Sequence, residues 1–153
     1  MRGGARMRTS PRIDLDRLLG RLDAFNRIGA LPGGGNCRLA LSDEDRAGRD
    51  LLVRWMRDLG LTVTIDAIGN IFGVRRGREN LPPVMFGSHI DTVGTGGRYD
   101  GLYGVLAGLE TCQALDDAGQ ATRRPRTASL RGRCARWGRA PARTSASDCS
   151  GFR

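Results

Sequence analysis

An α/β layer fold is predicted for this sequence by three observations. In the first 59 residues apolar side chains recur every three or four positions, the period of an amphipathic helix. From Leu61 to Ser88 that period gives way to short β-branched and apolar runs bounded by glycine and proline, the signature of strands. A helical pattern then resumes after a glycine-rich loop. Helices before and after a block of strands, in a chain of 153 residues, fit one layered domain or part of a larger one.

The elements follow in order. Residues 1–12 are basic and unpatterned and are expected to be a disordered N-terminus. Ile13, Leu15, Leu18, Leu19, Leu22, Phe25 and Ile28 form one stripe of a helix that ends at Gly29. Pro32 and Gly33-Gly34-Gly35 make 30–41 a loop. It lacks the strand–helix setting and the Lys-Ser/Thr of a phosphate loop. Ser42 before Asp43, Glu44 and Asp45 is an N-cap with acids in the first turn, where the helix dipole favours negative charge. That second helix presents Ala47, Leu51, Leu52, Trp55, Met56 and Leu59 to the core, with Gly60 as its stop. Residues 61–67 and 70–76 are strands around Gly69, and 84–88 (VMFGS) is expected to be a buried strand. Residues 102–119 form a helix on the face Leu102, Val105, Leu106, Leu109, Cys112 and Leu115.

After about Thr122 the pattern breaks. Residues 122–153 hold 9 arginines and one acid, Asp148, whereas residues 1–121 hold 16 arginines and 15 acids. The formal charge of +9 therefore belongs to the tail, and the body carries no basic groove. The scattered Cys134, Trp137, Cys149 and Phe152 are unlike a solvated tail. Their setting resembles an out-of-frame reading of GC-rich coding sequence, which would also explain the absence of lysine. The four cysteines form no CxxC pair. With no apolar span of about 18–20 residues and no signal-like segment, the expectation is a soluble cytoplasmic protein with free thiols and no membrane partner.

The chemistry concentrates in GSHIDTVGTGGRYDG, residues 87–101, between the third strand and the third helix. In open α/β sheets ligands bind at the carboxyl ends of strands. His89, the only histidine, and Asp91 are two residues apart, so along a strand they share one face. Imidazole ligates zinc and similar ions, and a carboxylate adds charge or orients the ring. Asp100, flanked by glycines, can fold back toward His89. Taken alone, H-x-D is a weak signal, and a hydrogen-bonded structural pair explains it as well.

The wider stretch GSHIDTVGTGGRYDGLYGVLAGLE resembles the metal-binding segment of the M20-type metallohydrolases. It is most similar to the branch of N-carbamoyl-L-amino-acid hydrolases, allantoate amidohydrolases and β-ureidopropionases. DAIGNIFG (66–73) and RLALSDEDRAGRDLL (38–52) resemble the family's upstream segments, so the likeness covers roughly residues 14–121. It implies that 13–121 is the N-terminal part of a zinc-dependent exopeptidase-like catalytic domain, helices on a mixed β-sheet, and incomplete. It implies further that His89 ligates one of two divalent ions (zinc or manganese), that Asp100 bridges the two, and that Asp91 orients His89. Ser88 and Gly87 would shape the strand end only. Gly94 stands where the family commonly has proline, which should loosen the loop.

The family also needs a Glu-Glu pair soon after the third helix and two further histidines. No Glu follows Glu110, and there is no second His. The small lid and dimerisation domain, through which the full-length family is homodimeric, is absent too. The expectation is an amidohydrolase acting on carbamoyl or ureido small molecules, present here as an inactive fragment with at most weak metal binding. Two alternatives belong to other classes. One is a small arginine-tailed anion- or nucleic-acid-binding protein, against which the tail lacks aromatic interleaving and helical spacing; the other is a non-functional fragment.

Overall fold

The computed structural model describes residues 10–130. The element order is α1 (Leu15–Asn26), α2 (Asp43–Asp58), β1 (Thr62–Ile65), β2 (Ile71–Arg75), β3 (Val84–Ser88), α3 (Leu102–Asp117) and β4 (Arg126–Leu130). The strands form one mixed sheet in the order β1-β2-β4-β3. β1 and β2 are an antiparallel hairpin, β2 pairs antiparallel with β4, and β3 pairs parallel with β4. α3 is therefore the crossover of a β–α–β unit, the connection that a parallel pair requires.

Local chemistry accounts for the helix starts. Asp14 caps α1 by accepting from the Arg17 N–H at 2.9 Å. The Ser42 hydroxyl caps α2 by accepting from the Asp45 N–H at 3.2 Å. The core joins Leu18, Leu22 and Phe25 of α1 to Leu52 and Met56 of α2, and both to Leu102, Val105, Leu106 and Leu109 of α3. Ile71, Ala128 and Leu130 supply the sheet's share.

Five sequence expectations need correction. Residues 126–130, assigned to the unpatterned tail, are β4, a central strand whose residues Thr127 to Leu130 are buried. Any loss of pattern therefore starts later than 122, and residues 131–153 lie outside the described residues, as do 1–9. The third strand is not buried: among the described residues β3 pairs only with β4, and Val84 and Met85 are exposed. On α1 only the Leu18–Leu22–Phe25 line faces inward, while Ile13, Leu15 and Leu19 are exposed. On α2 Ala47 is exposed and Gly48 is buried in its place, against the Phe25 ring. Among the cysteines, Cys37 is disulfide-bonded rather than a free thiol, and Cys112 is free and buried.

α1 is fastened to α3 by a buried charge cluster. The fully buried Glu110 accepts from Arg17 at 2.6 and 2.8 Å, from Arg21 at 3.2 Å and from the Asp14 N–H at 3.1 Å. Arg17 and Arg21 are one helical turn apart, so both reach one carboxylate. The hydrogen bond to Glu110 holds the Arg17 guanidinium above its usual range, while burial pulls Arg21 below it.

Two predictions follow from this packing. Glu110→Ala removes the acceptor that Arg17 and Arg21 share, leaving Arg17 with Asp117 and Arg21 with Gln113, and should cost about 2 kcal/mol, read as a lowered urea midpoint at unchanged slope. The second concerns pH. Burial pushes the Cys112 thiol up to about 11 from 9.0. The unfolded chain loses that proton first, so the folded state loses stability as pH rises from about 9 to about 11. Thermal midpoints should fall across that window more steeply in the wild type than in Cys112→Ala.

Candidate metal-ligand site

The site lies at the carboxyl end of β3, in the loop that returns to α3. Two anchors set the loop's path. Asn36 and Gly96 exchange backbone hydrogen bonds at 2.9 and 2.8 Å, and the Thr92 N–H donates to the Arg38 carbonyl at 2.8 Å. The Asn36 side chain donates to the Asn26 carbonyl at 2.7 Å, and the Asn26 side chain donates to the Arg98 carbonyl at 3.1 Å. An Arg98–Asp23 ion pair at 2.5 Å closes the outer side. The loop 30–41 is thus an ordered brace for the site loop, with the turn at Gly34 closed by its N–H on the Leu31 carbonyl at 3.0 Å.

The three predicted residues come together. His89 Nδ1 is 2.9 Å from the Asp91 backbone carbonyl and 3.4 Å from the Asp91 carboxylate. A carbonyl only accepts, so this contact assigns a proton to Nδ1. Nε2 faces Asp100 Oδ1 at 3.9 Å, beyond hydrogen-bond reach. Two ligands of one tetrahedral zinc ion, at ordinary bond lengths, stand about 3.4 Å apart. Asp100 is 62% exposed and free to close the difference. The short contact that orients His89 thus comes from the main chain of Asp91, with its carboxylate behind.

These residues fit two ligands of a divalent ion but not a closed site. Among the described residues no group of three or more His, Cys, Asp or Glu side chains converges on one point. The strand register adds a geometric fact: Ser88 lies opposite Leu130, so β3 and β4 end side by side at this edge. In the sequence Leu130 is followed by Arg-Gly-Arg, with no carboxylate.

Sequence reasoning missed two contributors. Gly101 has φ +67, and a Cβ there would collide with His89 Cε1 and with the His89 carbonyl. The imidazole lies against this glycine, which also opens α3 without a side-chain cap. The signal was present in the Asp-Gly dipeptide before a helix. Arg38 is the second: it lies fully buried behind the loop, and a lone arginine in RLALS gave no hint of burial.

Comparisons with known proteins agree on one group. No family model matches the chain. It is 47% identical over 107 residues to an N-carbamoyl-L-amino-acid amidohydrolase of a Pseudomonas strain, covering 69% of this chain and 26% of that protein. It is 36% identical over 118 residues to ureidoglycolate hydrolase of Arabidopsis thaliana, covering 76% of this chain and 25% of the relative. Among solved structures, a hydantoinase/carbamoylase family amidase from Burkholderia ambifaria superposes with TM-score 0.77 at 50% identity, covering 80% of this chain and 30% of that one. The chain spans about a quarter of the length of the relatives it matches. Among the described residues no helix is long and apolar enough to cross a membrane.

Gly101→Ala should displace the His89 ring. The expected result is a changed His89 imidazole resonance in NMR spectra, together with a lower thermal midpoint, whereas Gly97→Ala, in open space, should change neither.

Proposed function

We infer, from its membership of the branch that contains N-carbamoyl-L-amino-acid amidohydrolases and ureidoglycolate hydrolases, that this chain carries the histidine–aspartate part of a hydrolase acting on carbamoyl or ureido C–N bonds. The observation that carries the reading is the His89–Asp100 pair: Nδ1 is held by the Asp91 carbonyl, and Nε2 faces a carboxylate at a distance too long for a hydrogen bond.

The roles come from the family resemblance, and the geometry is compatible with them. His89 would present Nε2 to a zinc- or manganese-type ion, with its ring held by the Asp91 carbonyl from one side and by Gly101 from the other. Asp100 would supply a carboxylate on the opposite side and could be shared between two ions. The Asp91 carboxylate, next to Nδ1, would keep the ring's orientation and leave Nε2 to the ion. Bound divalent ions in such sites polarise a carbonyl and provide hydroxide near neutral pH. Since two donors do not close a site, the chain by itself is proposed to hold metal weakly and to turn over no substrate.

Two measurements test this. Purified 1–153, given zinc or manganese and an N-carbamoyl-L-amino acid or ureidoglycolate, should release no ammonia above a His89→Ala control. Turnover that disappears in that control would overturn the proposed inactivity. In a chimera, residues 14–130 replace the matching part of the Pseudomonas amidohydrolase. It should hydrolyse N-carbamoyl amino acids, and His89→Ala or Asp100→Asn should lower its kcat at least a hundredfold, roughly 3 kcal/mol in barrier. A chimera indifferent to both substitutions would sink the ligand assignment.

A further inference from the structure

Arg38 stands directly behind the His89–Asp91 pair and is only 1% exposed. Its Nε donates to the Ile90 carbonyl at 2.7 Å, and its Nη1 donates to the Ile28 carbonyl at 2.8 Å. Its backbone N–H donates to the Thr92 hydroxyl at 2.7 Å, and its carbonyl accepts from the Thr92 N–H at 2.8 Å. The guanidinium lies over the Phe25 ring, 4.8 Å from its centre. Burial pulls this group down to about 10, against the opposing fields of Asp45 and Asp91, so it remains charged at neutral pH.

These bonds hold both peptide units that flank Asp91. The unit between Ile90 and Asp91 has its carbonyl drawn inward by Arg38 Nε. The unit between Asp91 and Thr92 has its N–H drawn inward by the Arg38 carbonyl. In a trans peptide the N–H and C=O point opposite ways, so anchoring the Thr92 N–H inward aims the Asp91 carbonyl outward. That carbonyl is the one His89 Nδ1 meets at 2.9 Å. A core position serving only packing gains nothing from a charge, because an aliphatic residue there is often as stable. The planar fork of arginine, in contrast, reaches two carbonyls at once.

We propose that Arg38 is a positioning residue for the metal-ligand pair: its side chain fixes the peptide before Asp91 through the Ile90 carbonyl, its main chain fixes the peptide after it, and together they hold His89 in the Nδ1–H tautomer, with Nε2 turned to the site. This rests on the reading of His89 as an Nε2 ligand.

His89 is the only histidine, so the full chain gives a single imidazole signal set. Long-range proton–nitrogen NMR at pH 8 reports its tautomer. The wild type should show Nδ1–H as the dominant form. Arg38→Lys, which offers one donor group in place of a fork, and Arg38→Met both keep the main-chain bonds to Thr92 and loosen the peptide before Asp91, so both should show a mixture, with more Nε2–H in Arg38→Met. Arg49→Met provides the stability control. It removes another buried guanidinium, held by Asp45 and the Gly69 carbonyl and in no hydrogen bond to the loop, and should leave the tautomer unchanged. If Arg38→Met does not fold, Arg38→Lys carries the test. A wild-type tautomer retained in the Arg38 variants, or a wild type already dominated by Nε2–H, overturns the proposal. The chimera tests the ligand role separately. Activity lost on His89→Ala, with an unchanged tautomer in the Arg38 variants, would keep that role and remove Arg38 from it.

Discussion

The close approach of α3 to β3 is the constraint on which the rest of the structure depends. A Cβ at Gly104 would meet the Ser88 side chain at 2.9 Å, and one at Gly108 would meet the Phe86 ring at 2.5 Å. Side chains at those positions would push the helix off the sheet. Because the helix lies so close, its first turn passes over the end of β3, and His89 and Asp100 meet across the loop that joins the two elements. The same closeness drives Leu102, Val105, Leu106 and Leu109 into the core. It also fixes the height at which α3 presents Glu110 to α1.

Charge inside this small domain is spent on orientation. Glu110 faces Arg17 and Arg21, Asp45 faces Arg49, and Arg38 faces main-chain carbonyls. Buried ions of this kind give little stability over an apolar core of the same shape. They do penalise any packing that separates the partners, since each would then be left desolvated and unpaired. The Glu110 cluster sets the angle of α1 on α3. Arg38 ties the loop before α2 to the strand end that carries the site. A single unsatisfied atom, Asp45 Oδ1, remains in the second pair.

Much of the fold was legible where its causes are local. Ser42 and the acids after it start α2 through one hydrogen bond and a dipole, and both are visible in the sequence. The hairpin around Gly69 and the apolar face of α3 are equally local. β4 was not legible, because Arg-Thr-Ala-Ser-Leu has little intrinsic strand preference and is a strand only by pairing on both sides. The exposed Leu15 and Leu19 belong to a stripe wider than the surface α1 buries. At the site, the spacing of His89 and Asp91 suggested one face of a strand, but β3 ends at Ser88 and the two residues meet in the loop beyond it; the glycines around Asp100 permit the return that brings it opposite His89. That the Asp91 main chain would hold the ring, with an arginine behind it, depends on contacts 52 to 54 residues apart, which no local pattern records.

The position of β4 in the sheet also has a meaning in time. Chains grow from the amino end and contacts form as their members become available. β3 has no strand neighbour other than β4 among the described residues, and the β1–β2 hairpin reaches β3 only through β4. Until Leu130 has left the ribosome, the nascent chain is two helices, a hairpin and a helix with an unpaired strand. Among the described residues, the sheet, and with it the ledge that seats His89, depends on a five-residue segment that follows all the other elements and inserts between edges already made. Synthesis halted a few codons early would therefore yield a chain with no continuous sheet, its exposed strand edges open to a chaperone or to another copy.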